Sequence, residues 1–498
     1  MKVASECMKV PTRIVWRGFN RWRRKIVLRF KLLYFGIAFA LIGLTLILSS
    51  YATPTSDDYC IAFAGKSFGI SNSFNFLNQN WTPSTLYLPM LYFWSLGGNG
   101  PFLASMICLF TTSIFLLATS TLSAKISKSL SISTTFFHSL LVLPIGLILS
   151  IIISQSSILW TSQSAKSGEP VGIIKEWVSN FIFEKRDGQL AQWIFSTPLT
   201  STKVILNLLL LVLVASNVNI VNQSKSKFLM LIIPFTILVL TFGLSTEPLV
   251  ALLFICYLCL QAIKINGFSF AYLSPIAIVL IGIGTLYNLP GSIKRESVLA
   301  DKGLSELSRV FLGVAWQTIF LLLATYLAAI VLHIYLRLDI KNLNMSKYNA
   351  LLRSIFVLLV CNIVVNIVIE TFAYPSAYHW IGIIFSSYLF FFLFFMTRMR
   401  NICISPYSAG IGILVGAYAI FSLNLTINTE ETRLNLWNAR TEKRILFPEQ
   451  QVLSVPRVDN LGYQFMNDIN SEDLSIVPGI GYVSNASGFC YSKLPKSW

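Results

Sequence analysis

Apolar runs long enough to cross a bilayer recur along this chain, and they leave it few folds to choose from. A run of about 20 apolar residues crosses the hydrocarbon core as a helix, because in lipid the backbone must satisfy its own hydrogen bonds. Such runs occupy 32–50, 100–122, 133–153, 203–221, 228–245, 248–263, 268–288, 310–334, 354–370, 380–397 and 403–423. With 55% hydrophobic and only 12% charged residues, a chain of 498 residues lacks the polar surface of a soluble fold. The sequence therefore predicts an all-α polytopic membrane protein with about eleven transmembrane helices.

The net charge of +17 raises the question of a nucleic-acid partner, and the placement of the charge answers it. Residues 1–31 hold Arg13, Arg17, Arg21, Arg23, Arg24, Lys25, Arg29 and Lys31 ahead of the first apolar run. That block predicts a cytoplasmic N-terminus and an uncleaved first span. If the spans alternate, Lys125/Lys128, Lys225/Lys227, Lys264, Arg337/Lys341/Lys347/Arg353 and Arg398/Arg400 all fall on the same side as the N-terminus. Of the 21 Asp and Glu, only Glu6 and Asp339 join them. The charge is thus a topology signal, and no nucleic-acid role is inferred. The expected location is the plasma membrane (the inner membrane of a bacterial cell), multi-pass, with an extracytoplasmic C-terminus.

The expected domain layout is a basic cytoplasmic segment at 1–31, a transmembrane domain at 32–423 and an extracytoplasmic segment at 424–498. Two further outer segments, 51–99 and 154–202, are long. The first contains Leu86–Leu96, apolar but too short to span, which suits an interfacial helix. Pro448, Pro456, Pro478 and short β-branched runs make the tail a small α+β segment. Cys60 and Cys490 both fall outside and are a candidate disulfide, whereas Cys256 and Cys259 read as one apolar helix face.

Ionisable residues beside spans collect on the outer side. Asp57-Asp58-Tyr59 follows the first span. Glu247 occupies the tight connection Ser245-Thr246-Glu247-Pro248. Lys294 and Arg295 follow a Pro290-Gly291 turn, and Glu370 and His379 bracket the connection between the ninth and tenth spans. Each has an ordinary explanation: a solvated helix cap for the Asp pair, an interfacial cap for Glu247, headgroup snorkelling for Lys294/Arg295, and an aromatic-belt position for His379. Each also has a chemical one. A carboxylate at the membrane surface near other acids is suited to take a hydroxyl proton, and an Arg beside a Lys is suited to hold a phosphate.

Ser56-Asp57-Asp58-Tyr59-Cys60 after the first span, the Pro290-Gly291 turn before Arg295, and Trp437-Asn438-Ala439-Arg440 in the tail give this chain a family likeness. It resembles the GT-C superfamily of integral-membrane glycosyltransferases, and a bacterial family of polytopic proteins grouped with them. The resemblance implies transfer of a sugar from a polyprenyl-phosphate-linked donor to a cell-envelope glycan or lipid acceptor on the outer face. It implies Asp57 or Asp58 as catalytic base or, in some members, as metal ligand, and Lys294 and Arg295 as the donor-phosphate site. Glu247, Glu370 and His379 are the further substrate-binding candidates. Asn438 stands where an Asp is expected, and no DxD-type motif occupies another outer loop; both count against a metal-dependent member, so no cofactor is assigned and a divalent metal such as Mg or Mn is left open. The rival readings are a transporter or flippase of lipid-linked sugars, and an envelope-glycan polymerase or ligase.

Overall fold

The computed structural model describes residues 32–33, 35–52, 69–80, 91–92, 100–130, 136–164, 198–220, 225–242, 246–288, 304–336, 344–372, 380–398, 406–446, 452–454, 473–477 and 481–484. These residues are almost entirely helical. The helices are α1 (Phe35–Ser50), α2 (Ile70–Asn80), α3 (Gly100–Ser129), α4 (Phe136–Ser164), α5 (Pro198–Ile220), α6 (Lys225–Phe242), α7 (Thr246–Asn266), α8 (Ser274–Tyr287), α9 (Leu304–Leu336), α10 (Met345–Phe372), α11 (Ile381–Arg398) and α12 (Pro406–Leu446). A helix overlaps each apolar run of the sequence. Five contain a stretch long and apolar enough to cross a bilayer: Phe102–Ser129, Thr246–Asn266, Phe311–His333, Met345–Ile369 and Gly410–Asn428. Shorter apolar stretches include Phe35–Ser50, Leu140–Ser154, Lys203–Ala215 and Ile381–Met396. These are the helices of a multi-pass membrane protein.

The outside of the bundle agrees with that assignment. Phe110, Leu117, Met230, Phe270, Ile281 and Leu414 all lie at the surface. Side chains of this kind turned outward from many helices form an apolar belt that water would not tolerate. The inside is organised round α11. Its residues from Ile381 to Leu389 are buried on every side: the sequence IGIIFSSYL carries no charge, and its two serines meet Asn362 and Thr325 of neighbouring helices. Helices α4, α5, α9 and α10 pack around it. Gly146 of α4 lets the ring of Tyr388 lie against the helix backbone, where a Cβ would overlap it. Hydroxyls in this core bond back to carbonyls of the preceding turn, as Thr325 does to Leu321 O (2.9 Å) and Ser150 to Gly146 O (2.7 Å).

Two boundaries differ most from the sequence expectation. Helix α4 continues past 153 to Ser164. Helix α12 does not stop at 423 but runs unbroken to Leu446, so the Trp437–Arg440 stretch is helical and Asn438 is exposed. Helix propensity carries the chain on past the apolar stretch, since Glu430, Glu431, Arg433 and Arg440 are good formers and no Pro intervenes before Pro448. Beyond it, β1 (Val452–Ser454), β2 (Asp473–Val477) and β3 (Gly481–Ser484) pair antiparallel in the order β1-β2-β3. Cys60, Cys490 and residues 86–90 lie outside the described residues. Cys256 and Cys259 are free thiols on α7.

Candidate functional site

Four helices bring polar side chains to one end of the bundle. In α5, Lys203 and Asn207 stand one turn apart, as Asn362 and Asn366 do in α10 and Gly382 and Ser386 in α11. Helix α7 contributes Thr246 and Glu247 from its first turn. Residues four apart share a helix face, so each helix turns a short polar stripe toward its neighbours.

The stripes meet. Lys203 Nζ lies 3.5 Å from Glu247 Oε1, and the two side chains are 1% and 2% exposed. Thr246 Oγ1 donates to the same carboxylate oxygen at 3.2 Å. An ion pair buried in a bundle of this kind forfeits the hydration of both charges, which their attraction repays only with good geometry and added hydrogen bonds. One turn along, Asn207 Nδ2 donates to Lys203 O (2.9 Å), and Asn362 Nδ2 donates to Leu358 O (3.0 Å) and to Ser386 Oγ (3.4 Å). Ser386 Oγ donates in turn to Gly382 O at 2.6 Å. Gly382 has room only for hydrogen, since a Cβ there would strike both Asn362 Oδ1 and Asn207 Oδ1. Asn366 is 1% exposed, and neither atom of its carboxamide is hydrogen-bonded.

Helix directions show which chain ends share this site. The N-termini of α5, α7 and α11 and the C-terminus of α10 form it. Helix α6 runs toward it, and α8 lies alongside in the same direction: Phe228 meets Tyr272 near their starts (5.4 Å between rings), and Leu240 meets Gly282 near their ends. Asn288 therefore leaves the bundle at the polar end. In the α3–α4 hairpin, Phe115 meets Phe385 (6.1 Å), while Gly146, nearer the connection, meets Tyr388 one turn farther down α11. That sets the hairpin connection at the far end and the start of α3 at the polar end. Ser105 Oγ donates to Ser50 O (2.8 Å) and Ala52 O (3.3 Å), so the chain leaving α1 also emerges there. The opposite end collects Lys125, Lys128, Lys225, Lys227, Lys264, Lys347 and Arg353.

Of the residues expected from sequence, Glu247 is a member of this cluster. Asp57, Asp58, Lys294, Arg295 and His379 lie outside the described residues, as does the side chain of Glu370. Glu370 itself is in the last turn of α10, four residues after Asn366. Sequence reasoning missed Lys203, Asn207, Asn362, Asn366 and Gly382. The available signal was the four-residue spacing of polar residues inside otherwise apolar runs. Among the described residues no group of three or more His, Cys, Asp or Glu is placed to hold a metal ion. No protein-family model matches the chain, and no curated protein or solved structure is significantly similar to it.

Proposed function

We propose that this protein is a GT-C-like glycosyltransferase, crossing the plasma membrane eleven times with its basic N-terminus in the cytoplasm. In this reading it moves a sugar from a polyprenyl-phosphate-linked donor to a cell-envelope glycan or lipid on the outer face. The observation that carries the proposal is the common address of the polar groups. The chain ends at Ala52, Asn288, Phe372 and Trp380 lead into the segments bearing Asp57/Asp58, Lys294/Arg295 and His379, with Glu370 just inside Phe372. All four ends leave the bundle where Lys203, Asn207, Glu247, Asn362 and Asn366 gather. The far end is basic, which by the positive-inside bias makes the polar end the outer one.

The chemistry needs little machinery. Asp57 or Asp58 takes the proton of an acceptor hydroxyl as its oxygen attacks the anomeric carbon. The bond from that carbon to the donor phosphate breaks, and polyprenyl phosphate leaves with its charge held by Lys294 and Arg295. Glu247, fixed by Lys203, and Glu370 and His379 orient the sugar or acceptor. The expected result of Asp57→Ala or Asp58→Ala is a loss of about 100-fold or more in transfer, read from the envelope glycan profile at unchanged protein level. Full activity in both variants would remove the proposal.

A buried Lys–Glu pair inside a helical bundle also favours a second reading, a transporter or flippase of lipid-linked sugars. The two part in reconstituted vesicles: a flippase moves the intact lipid-linked sugar between leaflets with no acceptor present, whereas a transferase leaves it in place and consumes it only when acceptor is added.

A further inference from the structure

We propose that a groove along the basic end of α6 holds one anionic phospholipid, its phosphate at Lys225 and an acyl chain against Leu229, Met230, Ile233 and Pro234. The proposal is independent of the sugar-transfer reading.

Helix α6 packs on α5, α7, α8 and the short 3-10 helix Phe270–Leu273, and it buries Phe228, Ile232, Thr236 and Val239. On the adjoining side of the helix lies a groove of about 820 Å³, whose described walls are Lys225, Ser226, Leu229, Met230, Ile233 and Pro234. These are adjacent pairs repeated every four residues, so they form one stripe along the helix. The stripe is polar at its first two residues and apolar at the other four. Lys225, Ser226, Met230 and Pro234 are exposed, and Leu229 and Ile233 are half-buried. An outward apolar groove in a bilayer meets hydrocarbon chains. Its length decides how much of one it can take. Lys225 to Pro234 covers about 13.5 Å at 1.5 Å per residue, close to half of the roughly 30 Å hydrocarbon core. The groove therefore matches one leaflet, with its polar mouth at the headgroups. Exposed Phe268 and Phe270, edge-on to each other at 5.1 Å beside the start of α6, mark the same depth as aromatic residues do at a membrane interface. Charge selects the headgroup. Lys225 and Lys227 stand at the mouth, the positive end of the α6 dipole lies there, and Lys264 ends α7 at the same side of the bundle. Glu247, the acid of α7, is in its first turn at the other end. A phosphate bearing a net negative charge is the complement of that mouth.

The test uses the full-length protein in detergent micelles equilibrated with equal amounts of phosphatidylglycerol and phosphatidylcholine, and native mass spectrometry counts the lipids it retains. Lys225→Gln is expected to lower the retained phosphatidylglycerol by about one molecule per chain and to leave phosphatidylcholine unchanged. Leu229→Trp, which adds bulk to the groove and keeps the charge, is expected to cause the same loss. Lys347→Gln removes an exposed cation at the same end of the bundle, on α10 and away from the groove, and is expected to change neither count. Lys225 and Lys347 are both exposed, so their variants keep the fold; should Leu229→Trp fail to accumulate, these two decide. A Lys225→Gln count that matches the wild type overturns the proposal. So does an equal loss in Lys347→Gln, which would mean that the charge of the basic end, and not the groove, retains the lipid.

Discussion

Along α11, the turns from Gly382 to Ser387 meet the carboxamides of Asn207 and Asn362 and the hydroxyl of Thr325, on three different helices. From Tyr388 to Met396 the same helix meets mostly aromatic and aliphatic side chains, with Phe391 and Phe395 edge-on to Tyr326 at 5.3 and 5.0 Å. Both halves are buried, yet different forces hold them. In the apolar half the fit is one of shape, and no hydrophobic effect drives helix against helix in lipid, so close packing and small residues such as Gly146 supply the attraction. In the polar half the fit is one of pairing, and each group depends on a particular partner. An apolar contact that is lost leaves a void, whereas a polar partner that is lost leaves an unmet charge or donor. The second kind is the more expensive failure.

That contrast can be broken at three places, in descending order of effect. Glu247→Leu leaves the buried Lys203 ammonium without its counter-charge and is expected to cost about 3–5 kcal/mol of stability. Adding Lys203→Met to it is expected to recover most of the loss, because two apolar side chains can fill the same space. A double-mutant cycle that includes Lys203→Met alone, on denaturant unfolding in detergent, reads both numbers, and a double-variant loss equal to the sum of the two single-variant losses would mean the pair is not coupled. In the apolar half, Gly146→Val pushes side-chain atoms into the Tyr388 ring, with an expected loss of about 1–3 kcal/mol. The matching change at Gly43, where nothing lies within 4 Å of an added Cβ, is expected to be neutral in the same assay. The smallest effect belongs to the border between the halves. Ser387 Oγ donates to Thr325 Oγ1 at 2.9 Å and also bonds back to Ile383 O at 2.6 Å. Ser387→Ala is therefore expected to cost only about 1 kcal/mol, since Thr325 keeps its bond to Leu321 O.

How much of this was legible beforehand varies by residue. Glu247 stood out because a carboxylate in a connection of a few residues has nowhere to go but the membrane boundary. Lys203 did not, since a Lys at the head of an apolar run reads equally well as one that snorkels to the headgroups. The difference between the two is burial, 1% exposure here, and burial belongs to the neighbours of α5 rather than to its sequence. Asn362 and Asn366 were hidden in the same way: hydropathy averages over a helix and discards its rotation about its axis. The course of α12 to Leu446 escaped because the hydropathic boundary near 423 is not a helix boundary, and nothing between Asn424 and Leu446 breaks a helix.

By itself the sequence determined that the chain is a set of apolar helices with a basic end, because length, hydropathy and charge bias act along one dimension. It also determined that ionisable residues such as Asp57, Asp58, Lys294 and Arg295 stand in the segments that join those runs. Only the tertiary structure decided which helix faces meet. Contacts between α5, α7, α10 and α11 turn Lys203 toward Glu247 and crowd two asparagine oxygens against Gly382. Facing is a property of packing in three dimensions, and no single helix carries it in its own residues.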